Sequence, residues 1–199
     1  HGKAAHSSLT PKGSNAIEYA ARLICRIRDM ADQFKEQGPY DEFFDVPFTT
    51  MTTNQIQGGI AVNTIPDLCE FAYEFRNLPG MSVEGIQAQV EAYVRDELLP
   101  KMQREYADAR IEIESGASAP ALEASEEAAI TQLVRALTSD QDKRKVAYGT
   151  EAGLFHNAGI PTVVCGPGSI EQAHKPNEFV EIEQLDACER FLRKLGQSL

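Results

Sequence analysis

Residues 166–178 read Gly-Pro-Gly-Ser-Ile-Glu-Gln-Ala-His-Lys-Pro-Asn-Glu. This stretch sets His174 beside Glu171, Asn177 and Glu178, a neighbourhood of metal-ligand type. Glycines at the end of a strand let backbone approach a ligand, and open α/β sheets bind ligands at the carboxyl ends of their strands. The plain alternative is a histidine solvated in a polar loop. Upstream, Thr150 and Glu151 open a short helix. The threonine hydroxyl suits the cap of a short helix over 150–157, and the glutamate suits its first turn, where a carboxylate complements the helix dipole.

The elements that position these residues follow from pattern. The run Ile160 to Cys165 is apolar and β-branched, with Gly and Pro at its flanks, and predicts a buried strand ahead of the His174 loop. Lys145 to Tyr148 predicts a short strand. Two helices complete this half, one started by Ser125 with Ile130, Leu133, Val134 and Leu137 on one side, the other over 182–195. Strands alternating with helices indicate a parallel α/β sheet, and two short strands make only part of one.

The first half has another rhythm. His1 to Ser8 reads as a strand end running into a loop. A helix follows with Ser14 as its cap and Ile17, Ala20, Ile24, Ile27, Ala31 and Phe34 on one face, stopped by Gly38-Pro39. Val46 to Gln57 predicts a strand broken or bulged at Gly58-Gly59. Cys69 to Arg76 alternates cleanly, as a half-buried antiparallel strand does. Ser82 caps a second helix with Ile86, Val90, Tyr93, Val94 and Leu98 inward and Pro100 near its end. Arg110 to Glu114 alternates again, with Ile111 and Ile113 inward. The order is that of a ferredoxin-like split βαββαβ unit. The fold class expected is therefore α+β, with a ferredoxin-like domain over 1–115, a linker near 115–123, and a partial α/β segment over 116–199.

Bulk properties narrow the function. The chain has 199 residues, 42% hydrophobic and 25% charged, with a formal charge of −11. Such a composition folds rather than staying disordered. The negative charge repels a phosphate backbone, which argues against nucleic-acid binding, and no apolar run approaches the ~20 residues that span a bilayer. Cys25, Cys69, Cys165 and Cys188 are far apart and form no C-x-x-C. Buried thiols in a reducing cytoplasm account for them. The opening His1-Gly2-Lys3 lacks a methionine, and the expectation is that the chain begins partway through a larger protein.

Four stretches together carry a resemblance. Gly2-Lys3-Ala4-Ala5-His6-Ser7-Ser8, with Pro11-Lys12-Gly13 and Asn15-Ala16-Ile17, resembles the start of the lid domain of the M20 family of metallohydrolases. Gln57-Gly58-Gly59-Ile60-Ala61-Val62-Asn63-Thr64-Ile65-Pro66, followed by Phe75-Arg76, resembles the middle of that lid. Gly149-Thr150-Glu151-Ala152-Gly153-Leu154-Phe155 and the 166–178 loop resemble the carboxyl-terminal part of the catalytic domain. These last two are most similar to members that remove the acetyl group from N-acetyl-L-ornithine.

The resemblance implies a zinc-dependent amidase with two zinc ions per subunit, a lid that carries a homodimer interface, and a small N-acyl amino acid as substrate. His174 matches a zinc ligand, with Glu171 or Glu178 as partner to its second nitrogen. His6 matches the lid histidine that reaches the partner subunit's active site and holds the carbonyl oxygen as it becomes an oxyanion, where a donor is worth about 3–4 kcal/mol. Asn63 and Arg76 match residues that hold the substrate's carboxylate, for which the planar guanidinium fork is suited. On residue type alone, Arg76 equally fits an ion pair with Glu70 or Glu74, Asn63 a turn amide, and His6 a loop histidine satisfied by water. Thr150 and Glu151 match substrate-side positions, and an acid at 151 suits a cationic side chain such as ornithine's. The family's H-x-D motif and catalytic Glu pair do not occur here, because Glu126-Glu127 falls in the wrong place. The expectation is thus a piece of an enzyme that by itself neither binds zinc tightly nor hydrolyses amides. Another M20 activity (desuccinylation of succinyl-diaminopimelate, N-acyl amino acid hydrolysis or dipeptide cleavage) and a non-catalytic dimerisation or binding module are the alternatives.

Overall fold

Helix α1 (Ala16–Gln37) organises the amino-terminal half of a computed structural model that describes residues 1–198. Its cap is Asn15, whose side chain accepts from the backbone N–H groups of Ile17 and Glu18. Ser14, the expected cap, is instead 1% exposed and donates its hydroxyl to Glu105 at 2.9 Å. A cap must face the first-turn amides, and Asn15 already satisfies two of them. The buried stripe is Ala16, Tyr19, Ala20, Leu23, Ile27 and Met30. It is rotated by about one residue from the expected face, so Ile17 is exposed and Phe34 only flanks the core. The helix stops where Gly38 takes φ +73 and its N–H returns to the Phe34 carbonyl.

The residues group into two compact units, His1–Glu42 with Val46–Ala117, and Phe43–Asp45 with the chain from Ser118 onward. The first unit is mixed α/β with small sheets. Strand β1 (Ala5–His6) pairs antiparallel with β3 (Thr64–Ile65), and β2 (Thr50–Gly58) pairs antiparallel with β4 (Cys69–Arg76). The β2 register shifts between Thr53 and Gln55, so the bulge lies inside the strand, while Gly59 at φ +77 turns the chain out of it. Burial along β4 alternates as expected. Helix α2 (Val83–Tyr93) is capped by the Ser82 hydroxyl, which accepts from Gly85 N–H at 3.0 Å.

Pro100 does not end this helix. A π turn over Val94–Leu98 leads into α3 (Leu99–Glu105), with Pro100 in its first turn. A proline lacks the N–H that a regular helix would need, and the wider turn accommodates it. Ile27, Met30, Ile86, Val90, Leu98 and Met102 form the driest part of the core, and Phe71, Tyr73 and Phe75 of β4 pack against it. Residues 110–114 alternate in burial but form no strand. Only Arg110 is laddered, exchanging backbone bonds with His1 in both directions (2.8 and 3.1 Å). One pair is too short to count as a ladder.

In the second unit, α4 (Ala129–Thr138), α5 (Ala152–Asn157) and α6 (Ile182–Ser198) form close to where the pattern put them. Ser125 starts only a turn, accepting from Glu127 N–H, and α4 begins at Ala129. The two expected strands are absent among the described residues. Lys145 makes a single parallel bridge to Phe44, and 160–165 is unladdered, with Ile160 and Val164 exposed. A strand needs a neighbour to satisfy its N–H and C=O groups along its length, and one bridge at Lys145 does not make a ladder. The buried-thiol expectation also fails, since Cys25 and Cys165 are exposed and Cys69 and Cys188 only partly covered; all four are free. No helix among the described residues is long and apolar enough to cross a membrane.

Candidate functional site

His6 closes β1, and its ring is held by the residue two positions on. Its Nδ1 lies 2.8 Å from the Ser8 hydroxyl and accepts the Ser8 backbone N–H at 3.2 Å, which caps the 3-10 turn over Ser7–Lys12. Antiparallel pairing sets His6 opposite Thr64, and Ser7 N–H donates to the Asn63 carbonyl at 2.9 Å. His6 and Asn63 are therefore neighbours at an exposed rim of the first unit. Neither His6 Nε2 nor the Asn63 carboxamide has a hydrogen-bond partner among the described residues. The segment is anchored behind them: Lys3 and Ser14 exchange backbone bonds at 2.9 and 3.0 Å, and the Ser14 hydroxyl is tied to Glu105. Gly2 is required for that approach, because a Cβ there would lie 2.1 Å from the Ser14 carbonyl oxygen.

Arg76 is not brought to this pair. It ends β4, opposite Thr50, whereas the Asn63 loop lies beyond the Cys69 end. Seven steps of extended strand separate Cys69 from Arg76, on the order of 20 Å at ~3.3 Å each. Its guanidinium bonds to Glu74 Oε2 at 2.9 Å, a same-face pair with both side chains about half exposed. Such a pair contributes at most ~1 kcal/mol and leaves the remaining donors available. A groove between α1 and α2, lined by Arg22, Arg26, Asp29, Tyr93 and Asp96, contains none of the candidate residues.

In the second unit, the Thr150 hydroxyl accepts from Ala152 N–H at 3.1 Å and so starts α5. Glu151 is exposed and its side chain makes no capping bond. Gly153 packs tightly, since a Cβ would fall 1.9 Å from the Pro120 carbonyl oxygen. His174 is exposed and takes φ +60, a left-handed conformation that a non-glycine residue adopts at some cost. Its backbone N–H donates to Glu178 Oε2 at 3.1 Å. Of its two acidic neighbours, Glu178 thus braces the loop backbone, and the imidazole has no bonded partner among the described residues. No group of three or more His, Cys, Asp or Glu side chains among the described residues is arranged to hold a metal ion. A two-zinc centre needs several carboxylates besides its imidazoles. The residues present do not furnish such a set.

Sequence reasoning missed Ser8 and Glu105. A serine two residues after a candidate histidine is the signal for the first, because that spacing lets its N–H and O–H reach one ring nitrogen. Nothing local signals the second, which is 91 residues from Ser14.

The first unit answers to a known domain: residues 1–102 match the M20 peptidase dimerisation domain, and the chain belongs to that family. Among its relatives, the acetylornithine deacetylase of Pasteurella multocida is 34% identical over 195 residues, covering 98% of this chain and 49% of that protein. The acetylornithine deacetylase of Myxococcus xanthus is likewise 34% identical, covering 97% of this chain and 49% of its own length. The chain therefore spans about half the length of the curated relatives it matches. Among solved structures, aminopeptidase PepT from Bacillus cereus superposes with a TM-score of 0.67 at 20% identity, over 96% of this chain and 47% of that one. At that identity the likeness concerns the fold alone.

Proposed function

We propose that this chain supplies the lid and the carboxyl-terminal catalytic segment of an amide hydrolase that cleaves N-acetyl-L-ornithine to L-ornithine and acetate. The observation that carries the proposal is the His6–Asn63 pair: two exposed residues brought near each other along the backbone by β1–β3 pairing, with His6 Nε2 and the Asn63 carboxamide both unpartnered among the described residues. An amide hydrolase needs a donor aimed where the carbonyl oxygen gathers charge and a separate group to fix the substrate. His6 Nε2 suits the first task and Asn63 the second, on the substrate's carboxylate. The names of the relatives, at about one-third identity, favour the acetyl group and the ornithine side chain.

Under this reading residues 1–115 are a ferredoxin-like lid, the His1–Arg110 pair being the start of its last ladder, and residues 116–199 belong to the catalytic domain. The lid forms a homodimer in which His6 of one subunit serves the site of the other. Arg76 and Asn63 stand too far apart in one subunit to share a carboxylate, so Arg76 of one subunit joins Asn63 of the partner subunit on it in the assembled enzyme. Thr150 and Glu151 face the ornithine side chain, and His174 is one zinc ligand whose companions lie outside this chain. The chain alone is then inactive.

The test is hydrolysis by the full-length protein of N-acetyl-L-ornithine, N-succinyl-diaminopimelate, other N-acyl amino acids and dipeptides, compared by kcat/KM. N-acetyl-L-ornithine should lead by at least tenfold. A dipeptide in first place would move the assignment to a peptidase of the same family.

A further inference from the structure

We propose that Ser8 is a positioning residue that locks His6 in the Nε2–H tautomer, so that His6 acts only as a neutral hydrogen-bond donor and not as a base. This deepens the reading of His6 given above and rests on it for its catalytic consequence. The geometry itself does not. A backbone N–H can only donate, so Nδ1, which receives the Ser8 N–H at 3.2 Å, must carry a lone pair. The Ser8 hydroxyl at 2.8 Å then donates to the same lone pair rather than accepting from it. In a neutral imidazole the proton left over sits on Nε2.

That nitrogen has no partner among the described residues, and its donor points away from the pair of bonds that hold the ring. With the opposite tautomer, Nε2 would present a lone pair to a carbonyl oxygen, and attraction would become repulsion. The backbone donor also caps the turn; the hydroxyl is a second donor on the same ring nitrogen, and together they fix the tautomer as well as the ring orientation.

Long-range 1H–15N correlation spectra of the 15N-labelled 199-residue chain test the lock directly, at a pH where imidazoles are neutral. The His6 signals are assigned by their loss in His6→Asn. The wild-type chain should show a single Nε2–H tautomer at His6. Ser8→Ala keeps the backbone N–H on Nδ1 and loses only the hydroxyl, so the Nε2–H form should stay the major one while a measurable share of the second tautomer appears. Ser8→Thr, which keeps the hydroxyl, should abolish that share. A mixed tautomer in the wild type, or an unchanged ratio in Ser8→Ala, overturns the proposal whatever His6 does in catalysis. In the full-length enzyme Ser8→Ala should lower kcat severalfold with little change in KM, recovered in Ser8→Thr. If the spectra behave as stated while His6→Ala leaves kcat intact, the lock stands and the catalytic reading of His6 is what fails.

Discussion

Replacing Glu105 by alanine should loosen the support on which His6 stands. One carboxylate oxygen accepts the Ser14 hydroxyl at 2.9 Å, the other the Tyr19 hydroxyl at 2.8 Å. Both donors are buried, at 1% and 7% exposure, so neither finds water when the acceptor is removed. Hydrogen bonds to a charged group contribute about 1.5–3 kcal/mol each, and an orphaned buried donor costs about 1–3 kcal/mol. Glu105 is itself exposed and well solvated when free, which reduces the net value. The expected loss is about 2–3 kcal/mol for Glu105→Ala and about 1 kcal/mol for Tyr19→Phe, which removes the donor along with its need. The double variant should fall short of the sum, because the two residues share one bond. Urea unfolding followed by circular dichroism and tyrosine fluorescence reads these values, with no tryptophan to obscure the tyrosines. A Glu105→Ala chain within about 0.5 kcal/mol of wild type would refute the reasoning. The same cluster predicts a pH dependence. Burial, helped by the hydrogen bond to Glu105 and its charge, pushes the Tyr19 phenol up to about 12 from its ordinary 10.0. The fold thus favours the neutral phenol. Its contribution is complete below pH 10 and is lost as pH rises through about 12, and Tyr19→Phe should not show that loss.

Ile86→Ala, at a side chain 2% exposed in the core, should destabilise the first unit by about 2–5 kcal/mol in the same assay. Thr150→Ala should cost about 1 kcal/mol in the second unit by removing the start of α5, with protection of its amides in hydrogen exchange as the readout. Arg76→Ala should change stability by less than 1 kcal/mol, since its ion pair is exposed, yet raise KM for N-acetyl-L-ornithine at least tenfold in the full-length enzyme. Light scattering on the eluting peak should return a dimer mass for the full-length protein, and a dilution-stable monomer would contradict the lid's role.

Period-two and period-3.6 patterns made β4 and the core of α2 legible, because Cys69 to Arg76 and Ile86 to Leu98 each bury one face. They placed the buried face of α1 about one residue off. The observed stripe includes Tyr19, whose hydroxyl donates to Glu105 across a separation of 86 residues, a contact that spacing within the helix cannot signal. The expected strands at 110–114 and 160–165 fail for a related reason. Alternation and β-branching describe a segment's own preference, whereas a strand exists only when a neighbour completes its ladder. The backbone proximity of His6 and Asn63 was invisible to spacing, since 57 residues separate them, and motif resemblance singled out each residue without placing them together. The tautomer lock is different. Ser8 stands two residues from His6, and the geometry turns that closeness into a statement about which nitrogen carries the proton.

The most direct measurement is steady-state hydrolysis of N-acetyl-L-ornithine by the full-length enzyme carrying His6→Ala. Loss of one oxyanion donor predicts a fall in kcat of about 10²–10³ with KM nearly unchanged. A variant that turns over like the wild type would remove His6 from the chemistry, and with it the role assigned to this lid.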